Sequence, residues 1–83
     1  MFALEMNVSP QTSSAEDFFE LAMCYCLGRG VAQDNVVAHK WFNIAAMKGN
    51  KSALQYRCEL ACEMSPSQVA EALRQARAFL TVH

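Results

Sequence analysis

Residues 21–50 read LAMCYCLGRGVAQDNVVAHKWFNIAAMKGN, and their spacing decides the fold. Leu21, Ala22 and Tyr25 follow Phe18 at helical spacing, so a first helix carries one apolar face. Gly28 ends it, because glycine adopts the left-handed conformation of a helix C-cap at little cost. Gly28-Arg29-Gly30-Val31-Ala32-Gln33 forms a loop, and Asp34 is suited to cap the next helix. In that second helix Val37, Ala38, Trp41, Phe42 and Ala45 make a broad apolar stripe. His39, Lys40 and Asn43 are assigned to the opposite, solvated side, and Gly49-Asn50 stops the helix.

Upstream, Ser13-Ser14-Ala15-Glu16 has capping-box spacing and places the start of the first helix near Ser13 or Ser14. Asp17 and Glu20 add negative charge where the helix dipole favours it. Residues 1–13 read as a tail, with Phe2, Leu4, Met6 and Val8 alternating in a short extended pattern. Downstream, a third helix is expected from about Lys51 to Glu63, with Ala53, Leu54, Leu60 and Ala61 as its apolar positions. Ser65-Pro66-Ser67-Gln68 breaks the chain and restarts it: Ser65 caps, Pro66 takes the first helical position and Gln68 completes the box. Val69, Ala72, Leu73, Ala76 and Leu80 stripe the fourth helix, and Glu71, Arg74, Gln75 and Arg77 form its wet side. The body of the chain contains no convincing strand. The expected fold is all-α: four helices in two consecutive antiparallel hairpins, stacked as a short solenoid.

The composition agrees. The chain has 83 residues, 53% hydrophobic and 18% charged, with a net charge of -1. That length suits one small domain. The charge balance argues against nucleic-acid binding and against a polybasic membrane anchor. No apolar run approaches the roughly 20 residues of a membrane span. The N-terminus lacks the features of a secretory signal, so a cytoplasmic protein with reduced thiols is expected.

A shift of 36 residues superposes the first helix on the third, placing Phe18 on Leu54, Ala22 on Cys58, Cys24 on Leu60 and Tyr25 on Ala61, with Leu21 on Arg57. The first hairpin holds Leu21-Ala22, Tyr25, Gly28-x-Gly30-Val31, Gln33-Asp34, Ala38, Trp41-Phe42, Ala45-Ala46 and Gly49-Asn50 at fixed intervals. This pattern closely resembles the Sel1-like repeat, a relative of the tetratricopeptide repeat, over residues 17–50. Residues 49–80 look like the terminal segment of many bacterial Sel1-like proteins, with a degenerate capping hairpin over about 51–80. Gly49-Asn50, Ala53, Arg57, Leu60-Ala61, Met64-Ser65-Pro66 and Ala70-Glu71-Ala72 carry that likeness. The repeat domain spans residues 14–83. It departs from the family in having one full repeat plus a cap, and in Ala32, where the family often has proline.

The resemblance implies a protein–protein interaction module, an adaptor or scaffold that holds a peptide or helix of a partner protein on a concave face. First and third helices line that face in related repeats. On this chain the positions are Glu20, Met23, Leu27, Tyr56, Glu59 and Glu63. Repeat units bury their apolar faces on neighbours, and about three or more are usual for stability. Two units therefore predict self-association, as a homodimer or with a constitutive partner. The apolar residues least explained by an internal core, Phe2, Leu4, Met6, Phe19, Met23, Met47 and Phe79, are the candidates for it.

Other constellations yield no catalytic residue, metal ligand or cofactor site. Gly28-Arg29-Gly30 lacks the third glycine and the preceding strand of a dinucleotide loop. Cys58 and Cys62 share a helix face, but Cys24 and Cys26 diverge, a poor set for four converging ligands. Secreted, cysteine-rich members of the family pair a cysteine near the end of the second repeat helix, where this chain has Ala45-Ala46. His39 reads as a surface residue, and His83 is terminal. Glu16, Asp17 and Glu20, like Glu59 and Glu63, read as solvated helix surface. An enzyme is not expected. The alternative from another class is a small cysteine-dependent metal-binding or redox-sensing protein.

Overall fold

The computed structural model describes Ser9 and residues 13–82. Four helices follow one another: α1 (Ala15–Leu27), α2 (Asn35–Met47), α3 (Lys51–Ala61) and α4 (Pro66–Val82). Among the described residues there is no strand, and no helix is long and apolar enough to cross a membrane. The alternating Phe2, Leu4, Met6 and Val8 lie outside the described residues, as does His83.

Local chemistry sets each boundary. The α1 capping box is one residue later than its Ser/Glu spacing suggests. Ser14 Oγ accepts from the Asp17 N–H, and the Ser14 N–H donates to Asp17. Aspartate thus closes the box in place of Glu16, through a short carboxylate already at the right turn. At the other end Gly28 adopts φ +72°, and the N–H groups of Gly28 and Arg29 both donate to the Cys24 carbonyl. The Asp34 N–H then donates to the Tyr25 carbonyl, which ties the loop back onto α1. Asp34 caps α2 through the Val37 N–H, as its type predicts. Asn50 both ends one helix and begins another: its N–H donates to the Ala45 carbonyl, and its side chain accepts from the Ala53 N–H. After Ala61 the chain tightens into three-residue turns through Met64, two residues short of the expected end of the third helix. Ser65 and Gln68 form the expected reciprocal box at the start of α4.

The helices are arranged around α2, which packs against α1, α3 and α4 alike. Adjacent aromatics on α2 point to two sides. Trp41 stacks on Phe18 of α1 and meets the edge of Phe79 of α4, with ring centroids 5.7 and 4.9 Å away. Phe42 lies against Phe19 of α1 and stacks on Tyr56 of α3, at 5.8 and 5.4 Å. Phe19 and Phe79, which the sequence leaves outside the core, are therefore half-buried and packed against it. Between the two aromatic triads, Ala38 and Ala45 are fully buried, and their small side chains let helices approach closely. The Asp34–Tyr25 bond joins the start of α2 to the last turn of α1 while Trp41 meets Phe18 in the first turn, so α1 runs antiparallel to α2.

This centrality overturns one expectation. His39 and Asn43 are buried, at 2% and 9% exposure, not solvated. The helices packed around α2 leave these two side chains little access to water. Lys40 keeps its ammonium 4.2 Å over the Trp41 ring, where a cation is attracted to the aromatic face. Conversely Leu54 and Leu73, read as core, stand at 47% and 38% exposure. The reason is that α3 and α4 each bury only the edge that meets α2.

Removing the central aromatic should be decisive. Trp41→Ala is expected to cost about 3–5 kcal/mol, comparable to the whole stability of a small domain. Chemical denaturation followed by circular dichroism should show loss of the cooperative transition.

Candidate functional site

Because α1 occupies one side of α2 and the flanks belong to α3 and α4, the remaining sector of α2 lies at the bottom of a cleft between α3 and α4. Three concavities of about 340, 300 and 220 Å³ open along it. His39, Asn43 and Met47 supply the floor. Leu54, Arg57, Cys58 and Ala61 form the α3 wall. Val69, Leu73, Ala76, Arg77 and Leu80 form the α4 wall. Met47, at 64% exposure, borders two of the concavities, and so do Arg57 and Leu73, so the three adjoin one another.

The floor carries polar groups under unusual constraint. Arg57 Nη1 donates to Asn43 Oδ1 at 2.6 Å, a short charge-assisted bond that joins α3 to α2. Among the described residues the buried Nδ1 of His39 has no hydrogen-bond partner, and neither has the Trp41 indole N–H. Burial pushes the His39 imidazole below its ordinary value, and the charge of Arg57 adds to the shift. None of the carboxylates among the described residues lines the cleft, whereas Lys51, Arg57 and Arg77 do. Glu71 is turned to Arg74 and Gln75 on the outer side of α4, and Glu59 accepts from Gln55 on the outer side of α3.

The face anticipated from the sequence lies on α1 and α3. These two helices are brought together at Phe19–Tyr56, with ring centroids 5.5 Å apart. The two rings are 37 residues apart in sequence, close to the 36-residue shift that superposes the two helix sequences. Glu20, Leu27, Glu59 and Glu63 are exposed there. Met23 is half-buried against the core, and Tyr56 is exposed at one edge while its ring stacks on Phe42. This surface is acidic, and the cleft on the far side of α3 is basic.

Sequence reasoning missed the cleft residues His39, Asn43, Arg57, Leu54 and Leu73. A signal for them was present: Val36, Val37, Ala38, Trp41, Phe42, Ile44, Ala45 and Ala46 are apolar nearly all round α2, and a helix of that kind is buried. The mismatch of Leu21 with Arg57 was a second signal.

No group of three or more His, Cys, Asp or Glu comes together to hold a metal among the described residues. Cys58 and Cys62 are free and exposed; the Cys62 thiol donates to the Cys58 carbonyl. Cys24 and Cys26 are half-buried thiols on α1. Burial first, and Glu63 second, push the Cys26 thiol up. No family model, curated protein or solved structure matches this chain.

Two predictions follow from these side chains. The folded chain favours neutral His39, so the unfolded chain takes up its proton first as pH falls through 6.5. The His39 contribution is complete above that pH and is lost below it. Melting temperature should therefore drop between about pH 7.5 and about pH 5.5, and the slope should shrink in His39→Gln. Thiolate reactivity follows pKa and exposure. Iodoacetamide treatment read by intact mass and peptide mapping should modify Cys58 and Cys62 first and Cys26 last.

Proposed function

We propose that this chain is a protein–protein interaction module, a short Sel1-like helical-repeat unit that binds a peptide or helix of a partner protein. The observation that carries the reading is the exposure of large apolar side chains on so small a molecule. Leu27 and Tyr56 stand on the α1–α3 surface, and Met47, Leu54 and Leu73 stand around the cleft. Single exposed apolar residues are ordinary, but a cluster around a concavity marks a binding surface. The Phe19–Tyr56 contact, between positions 37 residues apart on α1 and α3, supports the repeat assignment.

Self-association belongs to the same reading. Among its candidate residues Met47 is the one exposed in the described chain. Phe19, Met23 and Phe79 pack against the core, and Phe2, Leu4 and Met6 lie outside the described residues.

A displayed peptide library panned on the folded protein tests the interaction reading. Enrichment of a sequence family that binds the wild-type protein in solution is the expected result, and failure to enrich any family overturns it. Light scattering after size exclusion should give a mass above that of one chain at micromolar concentration. A strictly monomeric folded species would remove self-association from the reading.

A further inference from the structure

We propose that the cleft between α3 and α4 receives one amphipathic helix of another protein, with an apolar ridge flanked by carboxylates. The proposal rests on the interaction reading above and moves its site from the α1–α3 surface to the far side of α3.

Shape is the first argument. Three helices surround α2 and leave one sector open, although α3 and α4 flank it on both sides. Along α4 the lining runs from Val69 to Thr81, about 18 Å at the helical rise per residue. A helix of roughly three turns fills that length and would complete the ring around α2. Its contacts would be apolar in the middle, where Met47, Leu54, Leu73 and Leu80 present hydrocarbon. Such a helix is read by anchors at i, i+3/i+4 and i+7.

Charge is the second argument. Lys51, Arg57 and Arg77 are spread over both walls and the α2–α3 end, and the lining holds no opposing carboxylate. The ion pair found among the described residues, Arg74 with Glu71, lies on the outer side of α4. A basic rim around an apolar trough selects an acidic amphipathic helix and repels a basic one. The unpartnered Nδ1 of His39 is a third, independent observation: it belongs to a nearly fully buried side chain that lines the cleft.

Two other occupants are outcomes of the test. A second copy would bring its own acidic α1–α3 surface, and residues 1–8 would bring an alternating apolar segment with Glu5. The helix is favoured over the extended segment because the lining along α4 has the length of about three helical turns, and a carboxylate on both flanks of an apolar ridge matches a basic rim on both walls.

The test uses two synthetic 14-residue peptides with leucines at i, i+4 and i+7, one carrying flanking glutamates and the other flanking lysines. Each is titrated into isotopically labelled full chain at low salt and followed by amide chemical shifts. The glutamate peptide should shift Leu54, Arg57, Leu73 and Arg77 and bind roughly tenfold more tightly than the lysine peptide. Arg77→Glu, a substitution at an exposed position, should remove or invert that preference. Leu73→Asp should weaken both peptides. Equal affinity for the two peptides, or no shift with either at millimolar concentration, overturns the proposal. Shifts confined to Leu27 and Tyr56 also overturn it, while leaving the interaction reading intact. Cleft shifts that change on dilution of the protein alone would assign the cleft to a second copy. Cleft shifts that change on deleting residues 1–8 would assign it to the chain's own segment. Either result overturns the partner helix.

Discussion

Everything in this structure depends on two neighbouring rings, Trp41 and Phe42, in the middle of α2. Neighbouring positions on a helix point about 100° apart, so one ring cannot serve the partners of the other. Trp41 collects Phe18 and Phe79, which holds α1 and α4. Phe42 collects Phe19 and Tyr56, which holds α1 and α3. The paired phenylalanines of α1 answer the paired aromatics of α2, and this fixes α1 between the two triads. Trp41, Phe18 and Phe42 are among the largest fully buried side chains of a chain too short for an extensive core.

That arrangement also makes the cleft. With α1 committed to both triads, α3 and α4 are held on opposite flanks of α2 and scarcely touch each other. Arg57 maintains the separation. It stands where the first hairpin has Leu21, and its guanidinium is committed to Asn43. A charged group must keep access to polar partners or water, so α4 cannot close over it as an apolar neighbour would allow. The result is a trough with hydrocarbon walls, a basic rim and polar groups at the bottom. The two sides of α3 carry opposite charge character: Glu59 and Glu63 on one, Lys51 and Arg57 on the other. A single helix thus separates an acidic surface from a basic one.

Much of this was legible from local patterns. Asp34, Ser65 with Gln68, and Gly28 each do what their type predicts at a helix end, because caps satisfy backbone groups a few residues away. Phe18, Leu21, Ala22, Ala38, Trp41 and Ala45 were legible as core from periodicity. His39 was not, because a polar residue opposite an apolar stripe reads as solvated unless the helix is known to be covered on that side. Leu54 and Leu73 failed for the converse reason: their helices each lack a neighbour on one edge. Phe19 and Phe79 resembled surplus surface because their ring partners lie on other helices, far away in sequence. Of the anticipated site, Leu27 and Tyr56 are exposed as expected, but the deeper concavity lies elsewhere.

The sequence by itself determined that the chain is all-helical and, to within a residue or two, where its helices begin and end. Those are properties of hydrogen bonds and periodicities spanning a few residues. Only the tertiary structure decided which helix is central, and with it which polar residues are buried and which leucines face solvent. Burial is a property of how many elements surround a residue, and no stretch of local sequence counts its neighbours. The open sector of α2 is the clearest case, since it exists only because three helices were placed around a fourth and a place for one more was left.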